Sequence, residues 1–235
     1  MFDDKPTGLP RARPDGSPLK PLPDVILERR ATINFTDEEV PDEVLDAVLR
    51  LGAQAPSGYN LQPWRFVVVR DAENRRRLQQ VAFNQAKVGE APVCIIAVGM
   101  REEWKGTASE VFREGSARGA GNPATAEQAK EGAVQFVSSF DPAVWVNRHV
   151  MIALTTMMYV AESYGYDTAP MEGFDAAGVK REFGIPEEGE VCALLSIGRA
   201  KEPDKPYTGR FPLNRIVYAE RFGEPWGGGA SPGGD

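Results

Sequence analysis

The stretch VWVNRHVMIALTTMMYVAESYG, residues 144–165, carries the most apolar helical pattern of the chain. Asp141 is expected to cap this helix, with Pro142 in its first turn and Gly165 at its end. From Val150 to Val160 nearly every face of the helix is apolar. Because a helix that is hydrophobic all round is buried, we expect this one in a protein core or at a large subunit interface.

Helices and strands both flank this long helix, and helices predominate. Periodicity and turn residues predict four further helices and three strands. Asp24 and Asp175 are expected to cap the first and last of these helices. The helices are predicted at 24–30, 41–52, 72–83 and 174–184, and the strands at 65–70, 91–100 and 190–200.

Residues 101–140 are expected to be irregular, because they are rich in glycine. Short helices are predicted only around Glu102 and Glu127. An excursion of this length is unusual in a compact domain. It therefore indicates a lid or an edge subdomain.

Proline and glycine mark the two ends of the chain. Residues 1–23 contain six prolines, which exclude a regular helix or a central strand. The favoured interpretation is an extended, partly mobile arm, and the alternative is an arm lying over a partner subunit. Residues 24–222 are expected to form the main domain, and residues 223–235 a flexible glycine-rich tail.

Composition excludes several classes of function. The net charge of −7 over 235 residues argues against non-specific nucleic-acid binding. Cys94 and Cys192 lie in apolar runs, which predicts buried thiols in a reducing compartment. A single histidine, His149, argues against a zinc site. The sequence shows neither a membrane span nor a signal peptide, so we expect a cytoplasmic protein that acts without a membrane.

Familiar catalytic patterns are missing from the sequence. No phosphate-binding P-loop is present, and the glycine-rich segment 115–121 follows no predicted strand. With one histidine on the apolar helix, no serine–histidine–aspartate grouping can be argued.

Several polar clusters stand out instead. ERR (28–30) ends a short helix, APSGYNLQPWRF (55–66) precedes a strand, and FNQAK (83–87) follows a helix. Paired arginines can clamp a phosphate, although they are more often a solvated face. Loops that mix amides and hydroxyls can bind a planar polar ligand, although they can also be plain turns.

Together with APMEGFD (169–175) and Arg210 in YTGRFPLN (207–214), these clusters resemble the nitroreductase family of FMN-dependent oxidoreductases. The resemblance spans residues 24 to about 220. It implies an α+β fold, with a mixed sheet flanked by helices, in an intertwined homodimer with FMN at the subunit interface. It further implies hydride transfer from NADPH or NADH to a small electron-poor acceptor by a ping-pong mechanism. Nitroaromatics, quinones and activated alkenes are the implied acceptors.

The resemblance also assigns residues to the FMN site. Arg29, Arg30 and Arg210 would hold the phosphate beside Ala31, and Lys87 would lie near the pyrimidine edge. Asn84 would bind the ring, and His149 would face the pocket. The remaining positions are Pro56, Ser57, Gly58 and Asn60 from the partner subunit, and Pro170, Met171, Glu172 and Gly173 beneath the ring.

In the segment PMEG, Met171 would pack on the ring, and the amides of Glu172 and Gly173 would point at its N5 and O4 edge. Gly173 would permit close approach of the backbone. The alternative is a simple proline–glycine turn. No side chain is assigned as a catalytic acid or base, and none as a metal ligand.

Three positions depart from the family pattern. Ala31, Ile33 and Thr208 stand where the family commonly has serine, a basic residue and lysine. Two interpretations stay open: weaker FMN binding, or compensation by Thr32, Lys201 or Lys205.

Four other functions also stay open. A reductive dehalogenase of iodotyrosine type would use a lid with Glu, Tyr and Lys, but residues 101–115 contain no Tyr. A flavin-destroying enzyme of the cobalamin-ligand pathway would need an acid where Ala31 and Thr32 stand. The last two are a flavin-binding sensor or storage dimer without turnover, and a cofactor-free interaction domain.

Overall fold

A computed structural model describes residues 5–202 and 206–227. The chain divides into two compact units, residues 1–204 and 205–235. Residues 228–235, which are most of the predicted tail, and Lys205 lie outside the described residues. The helices are α1 (Leu22–Glu28), α2 (Asp42–Gly52), α3 (Ala72–Val81), α4 (Ala86–Glu90), α5 (Glu103–Ala117), α6 (Ala126–Val137), α7 (Pro142–Ser163), α8 (Ala176–Phe183) and α9 (Leu213–Ile216).

Four strands form one sheet in the first unit, in the order β1-β2-β4-β3. They are β1 (Trp64–Val69), β2 (Val93–Met100), β3 (Asp167–Met171) and β4 (Gly189–Gly198). All three pairings between these strands are antiparallel. A single parallel bridge, from Ala31 to Thr168, extends the sheet beyond β3. The expected α+β class is confirmed.

The central strands β2 and β4 are buried along nearly their whole length. Strands covered on both faces have continuous apolar sequences, which explains why the sequence predicts both β2 and β4. On one face lie α7 and α2, which form the larger apolar cluster with alternate residues of the strands. On the other face, side chains of α3, α4 and α8 form a second cluster.

Helix α7 approaches the sheet closely because β2 has a glycine beneath it. A Cβ added at Gly99 would lie 2.6 Å from Cγ2 and 2.7 Å from Cβ of Val146. Asp141 caps α7 by accepting a hydrogen bond from the amide of Val144 (2.9 Å). The predicted long helix is therefore confirmed, including its cap, but it is not buried all round, because Ile152 is 41% exposed.

Strand β3 was not among the strands predicted from the sequence, which offered a proline–glycine turn at Pro170 as an alternative. Proline lacks an amide proton and is tolerated in edge strands. Because β3 is the outermost of the four strands, Pro170 is compatible with its pairing to Leu195. The interpretation of this segment as a simple turn is wrong.

Residues 101–140 were expected to be irregular, and this prediction is wrong. They form two packed helices, α5 and α6. Gly106, Gly115 and Gly132 lie inside these helices, and no atom is within 4 Å of a Cβ added at any of them. Each weakens its helix without breaking it. The carboxylate of Glu188 caps α5 by accepting hydrogen bonds from the amides of Glu102 and Glu103 (3.0 and 3.1 Å).

Two other predicted caps are absent. Helix α1 begins at Leu22, before Asp24, and has no side-chain cap. Asp175 occupies the cap position of α8, but its side chain makes no capping hydrogen bond. Gly184 does end α8, with φ of 64°, a conformation that glycine adopts readily.

The described part of the N-terminal arm packs against the end of α7. The hydroxyl of Tyr164 donates to the carbonyl of Pro10 (2.8 Å), and the amide of Lys20 donates to the carbonyl of Ser163 (3.1 Å). The ammonium of Lys20 also forms an ion pair with the buried carboxylate of Glu162. These bonds hold the arm on its own chain.

Both cysteines are buried free thiols, as expected. Burial raises the pKa of Cys94 and of Cys192 to about 12. Both thiols are therefore protonated at neutral pH and unreactive as nucleophiles. Within the described ranges, every helix is too short or too polar to span a bilayer.

The second unit contains α9 and the bridge between Tyr218 and Pro225. Its large apolar side chains are exposed, among them Phe222 (92%) and Trp226 (59%). Arg215 stacks on the ring of Phe211, with its guanidinium carbon 3.9 Å from the ring centroid.

Two glycine substitutions are expected to change stability in opposite directions. Gly132→Ala should raise the free energy of unfolding by about 0.5–1 kcal/mol, because the added methyl meets open space and alanine favours helix. Gly99→Ala should lower it by about 1–3 kcal/mol, because the methyl overlaps Val146. Urea unfolding followed by circular dichroism measures both. A stabilising Gly99→Ala would contradict the close packing of α7 on β2.

Candidate functional site

The paired arginines lie beside the edge strand of the sheet. Ala31 bridges to Thr168 in β3, and the amide of Thr32 donates to the carbonyl of Thr168 (3.1 Å). The guanidinium of Arg30 donates to the carbonyls of Leu27 and Arg29 (2.7 and 2.9 Å). The side chain of Arg29 is half-buried and has no acceptor among the described residues.

The segment 83–87 contacts the segment that follows β3. The side-chain amide of Gln85 donates to the carbonyl of Gly173 (2.6 Å), and the amide of Asp175 donates to the carbonyl of Val81 (2.7 Å). Phe83 and Asn84 both adopt left-handed backbone angles, with φ of 54° and 56°. Such angles cost free energy in residues other than glycine and cluster at binding sites.

Lys87 places a positive charge in this region without a neighbouring anion. Its side chain is half-buried, and its ammonium forms no ion pair or hydrogen bond with any described residue. Burial lowers the pKa of Lys87 from its usual value of 10.5. The hydroxyl of Ser196 donates to the carbonyl of Lys87 (2.9 Å) and so fixes the backbone from which this side chain extends.

The residues after β3 present unpaired backbone amides. Glu172 and Gly173 are exposed, and the amide of neither donates to another described residue. Gly173 does not have a left-handed φ, and an added Cβ would be in ordinary contact with Gln85, 3.5 Å from Nε2. The chain itself therefore does not require glycine at position 173.

At the end of β3, the side chain of Met171 points into the protein core and not towards the exposed residues 172 and 173. Met171 is only 4% exposed and belongs to the apolar cluster on the α8 side of the sheet. Its backbone, rather than its side chain, is available to a ligand. Pro170 is half-buried beside it.

These segments form a first set of candidate residues around the β3 edge, namely residues 29–31, 84–87 and 170–173. The set combines cations with free amide donors. Charge-assisted hydrogen bonds of this kind favour a ligand with anionic oxygens and ring acceptors. The donor set therefore fits the phosphate and the electron-rich ring edge of FMN.

A second set lies in the loop before β1, at residues 56–60. The hydroxyl of Ser57 closes this loop by accepting a hydrogen bond from the amide of Gln62 (3.0 Å). Tyr59 and Asn60 have left-handed φ angles of 53° and 57°. Pro56 and Asn60 are exposed.

His149 belongs to this second set. A Cβ added at Gly58 would lie 3.4 Å from Nε2 of His149. Nδ1 of the imidazole lies 2.8 Å from the carbonyl oxygen of Trp145. Because a carbonyl only accepts, Nδ1 carries the proton. In the neutral ring, Nε2 is therefore a hydrogen-bond acceptor directed at the loop.

The sheet keeps the two sets apart within one chain. β1 and β3 lie at opposite ends of the strand order, so three spacings of about 4.8 Å, or about 14 Å, separate them. The register adds an offset along the strands of three to four residues between Trp64 and Met171, or about 10–13 Å. The predicted site residues are thus brought together as two groups, not one.

Arg210 belongs to the second compact unit. Its side chain is exposed and lies over the ring of Tyr207, 5.5 Å from the centroid. The guanidinium also donates to the carbonyl of Gly209 (2.7 Å).

Sequence reasoning missed Gln85, which joins two of the motifs. It lies inside the quoted segment FNQAK, but its partner Gly173 is 88 residues away. Only the run of polar residues around it could have drawn attention to this position.

Lys87→Met is expected to stabilise the ligand-free protein at neutral pH, because it removes a half-buried charge without an anion. Burial lowers the pKa of Lys87 below its unfolded value of about 10.5, so the folded protein binds fewer protons. Wild-type stability therefore rises with pH between these two values, and the advantage of the variant shrinks there. Urea unfolding at several pH values from neutral upwards measures this trend.

Lys201→Met is the matched control for loss of one positive charge, because Lys201 is exposed. A Lys87→Met protein that is less stable than wild type at neutral pH would contradict the interpretation of Lys87 as a half-buried charge without an anion. So would an advantage that grows with pH.

Proteins of known sequence and structure resemble this chain over most of its length. The chain is 34% identical over 191 residues to an NADH dehydrogenase of Thermus thermophilus, covering 81% of this chain and 92% of that protein. It is 27% identical to an oxygen-insensitive NAD(P)H nitroreductase of Enterobacter cloacae, covering 82% and 96%. A nitroreductase structure from Exiguobacterium sibiricum, solved in complex with FMN, superposes with a TM-score of 0.75 at 23% identity, covering 83% and 95%. Residues 26–199 match the Nitroreductase family, and the chain therefore belongs to that family.

Proposed function

We propose that this protein is an FMN-dependent oxidoreductase that uses NADH or NADPH to reduce a small electron-poor acceptor. Family membership and the names of its relatives support the oxidoreductase activity and the nicotinamide donor. The observation that carries the proposal is the unpaired Lys87 beside free amides at the β3 edge. FMN would supply a carrier that accepts two electrons from the nicotinamide and passes them to the acceptor.

The first set of residues would hold FMN. The amides of Glu172 and Gly173 would donate to the ring edge, and Gln85 would fix their orientation through the carbonyl of Gly173 (2.6 Å). Lys87 would place its ammonium against the pyrimidine edge. A fixed positive charge there stabilises the negative charge that reduction adds to the ring.

Arg29, Arg30 and Arg210 would bind the phosphate. Arg29 has its whole guanidinium available, whereas Arg30 already donates to two carbonyls. Thr32 is buried, at 2% exposed. Ala31 and Ile33 lack the phosphate contacts that the family commonly has at these positions. Lys201 is exposed, so it is better placed than buried Thr32 to replace those contacts.

The second set would act on the FMN of a partner subunit. A flavin at the β3 edge lies across the sheet from residues 56–60 of its own chain. In a dimer with two-fold symmetry, the second copy can contribute its own residues 56–60, together with the His149 that packs against this loop. The exposed apolar side chains Ile152 on α7 and Phe222 in the second unit supply surface that a dimer would cover.

The acceptor is proposed to be a nitroaromatic, a quinone or an activated alkene. Neither set contains a side chain placed as a catalytic acid or base, so the protein would contribute orientation and charge to the transfer. The donor and the acceptor would use the same face of the ring in turn. Parallel lines in steady-state kinetics are the expected signature of this ping-pong order.

The reductive dehalogenase alternative has less support. Lys105, which such a lid would need, donates to Glu102 (2.5 Å). Trp104 is buried against Trp145, with 5.2 Å between the ring centroids.

The location of the protein in the cytoplasm stays a prediction from the sequence.

Visible spectra of the purified protein test the proposed activity. We expect added FMN to bind, to bleach anaerobically with NADH or NADPH, and to recover its colour with menadione or nitrofurazone. A bound flavin that neither nicotinamide bleaches would instead indicate a sensor or storage protein. Failure to bind FMN would overturn the site assignment.

Mixed dimers test whether the site is shared between subunits. Lys87→Met damages the first set and Asn60→Asp the second, so we expect each variant alone to lose at least tenfold in FMN affinity, about 1.4 kcal/mol. Co-expression under two affinity tags allows the mixed dimer to be isolated. If the site is shared, one of its two sites is wild type, and FMN binding returns to half occupancy.

A double variant paired with wild type is the control, because it carries the same substitutions on one chain. Under a shared site, neither of its two sites is intact. A site built within one chain would give the reverse pattern, with binding only in the control.

A further inference from the structure

A groove between α5 and α6 is not used by the proposed FMN site. Its volume is about 520 Å³, and it is lined by one face of α5 and by the start of α6. A cavity of this size accommodates a small organic molecule.

The α5 face of the groove combines a ring, a cation and two hydroxyls. Ser109, Phe112, Arg113 and Ser116 follow the spacing i, i+3, i+4, i+7, so they form one stripe along the helix. Neither hydroxyl has a hydrogen-bond partner among the described residues. The facing wall at Ala126 is apolar.

Arg113 is unusual among the charges around it. Arg118 on the same helix donates to Glu114 (2.6 Å), and Glu127 at the groove forms an ion pair with Lys130. Arg113 has neither an ion pair nor a hydrogen bond within the described part of the chain. Since Glu127 is compensated, the groove presents uncompensated positive charge beside a ring.

The groove continues towards the second set of candidate residues. A neighbouring cavity of about 280 Å³ shares Phe112 and Ser116 with it and reaches Tyr59 and Asn60. The ring of Tyr59 lies 6.5 Å from that of Phe112 and 6.3 Å from that of Phe136. An aromatic surface therefore connects Arg113 with the loop proposed to face the flavin of a partner.

We propose that this groove binds the charged end of the acceptor, and that the acceptor is an aromatic carboxylate. The carboxylate pairs with Arg113 in the two-pronged geometry that guanidinium favours, and the aromatic body lies along Phe112 and Tyr59. Its reducible group then extends past Asn60 towards the flavin. The part concerning the acceptor rests on the proposed function, whereas binding at Arg113 does not.

Calorimetric titration of the FMN-loaded protein tests binding without turnover. The probes are 2-naphthoate and its uncharged analogue 2-naphthamide. We expect wild type to prefer the carboxylate and Arg113→Gln to weaken its binding about tenfold. Arg118→Gln removes a paired arginine from the same helix and is expected to keep the preference. Equal binding of 2-naphthoate by wild type and Arg113→Gln would overturn the groove site.

Kinetics with 4-nitrobenzoate and 4-nitrobenzamide test the link to the reaction. Arg113→Gln should lower the ratio of their kcat/KM values about tenfold through KM, and Arg118→Gln should not change it. Arg113-dependent binding of 2-naphthoate with an unchanged ratio would overturn the acceptor role. A protein that lacks flavin reduction but keeps Arg113-dependent binding would refute the proposed function and leave the groove as a binding site alone.

Discussion

The packing of α7 on the central strands β2 and β4 is the interaction on which the rest of the first unit depends. It requires the absence of a side chain at Gly99, where Val146 occupies the space that a Cβ would fill. Helix α2 packs on α7 in a similar way, with Met157 against Gly52. Because both faces of β2 and β4 are covered, only the loops, strand ends and edges of this sheet can hold polar binding groups.

The strand order then decides what one chain can bind. β1 and β3 occupy opposite ends of the order, and each carries one set of polar candidates at or near it. The backbone segments in both sets contain left-handed residues other than glycine, including Asn60 and Asn84. Strained loops at both edges support the proposal that each set is half of a site completed by a second copy of the chain.

Lys87, Arg29 and Arg113 lie in the candidate sites, and none of them forms an ion pair with any residue that the structure describes. An unpaired cation that is half-buried, as Lys87 is, lowers the stability of the protein. Lys20, by contrast, forms an ion pair with the buried carboxylate of Glu162. Lys87 and Arg29 therefore support the proposed ligand site at the β3 edge, and Arg113 supports the proposed site in the α5–α6 groove.

The sequence by itself determined α7, β2, β4 and the main motifs of the site, because caps, apolar runs and periodicity act over a few residues. It did not determine β3, because a strand can contain Pro170 only if that strand lies at the edge of the sheet. The lengths of α5 and α6 were also missed, because whether their glycines face open space is a tertiary property. Above all, only the tertiary structure decided which motifs meet: Gln85 and Gly173 are 88 residues apart and hydrogen-bonded, while sheet order separates residues 56–60 from both.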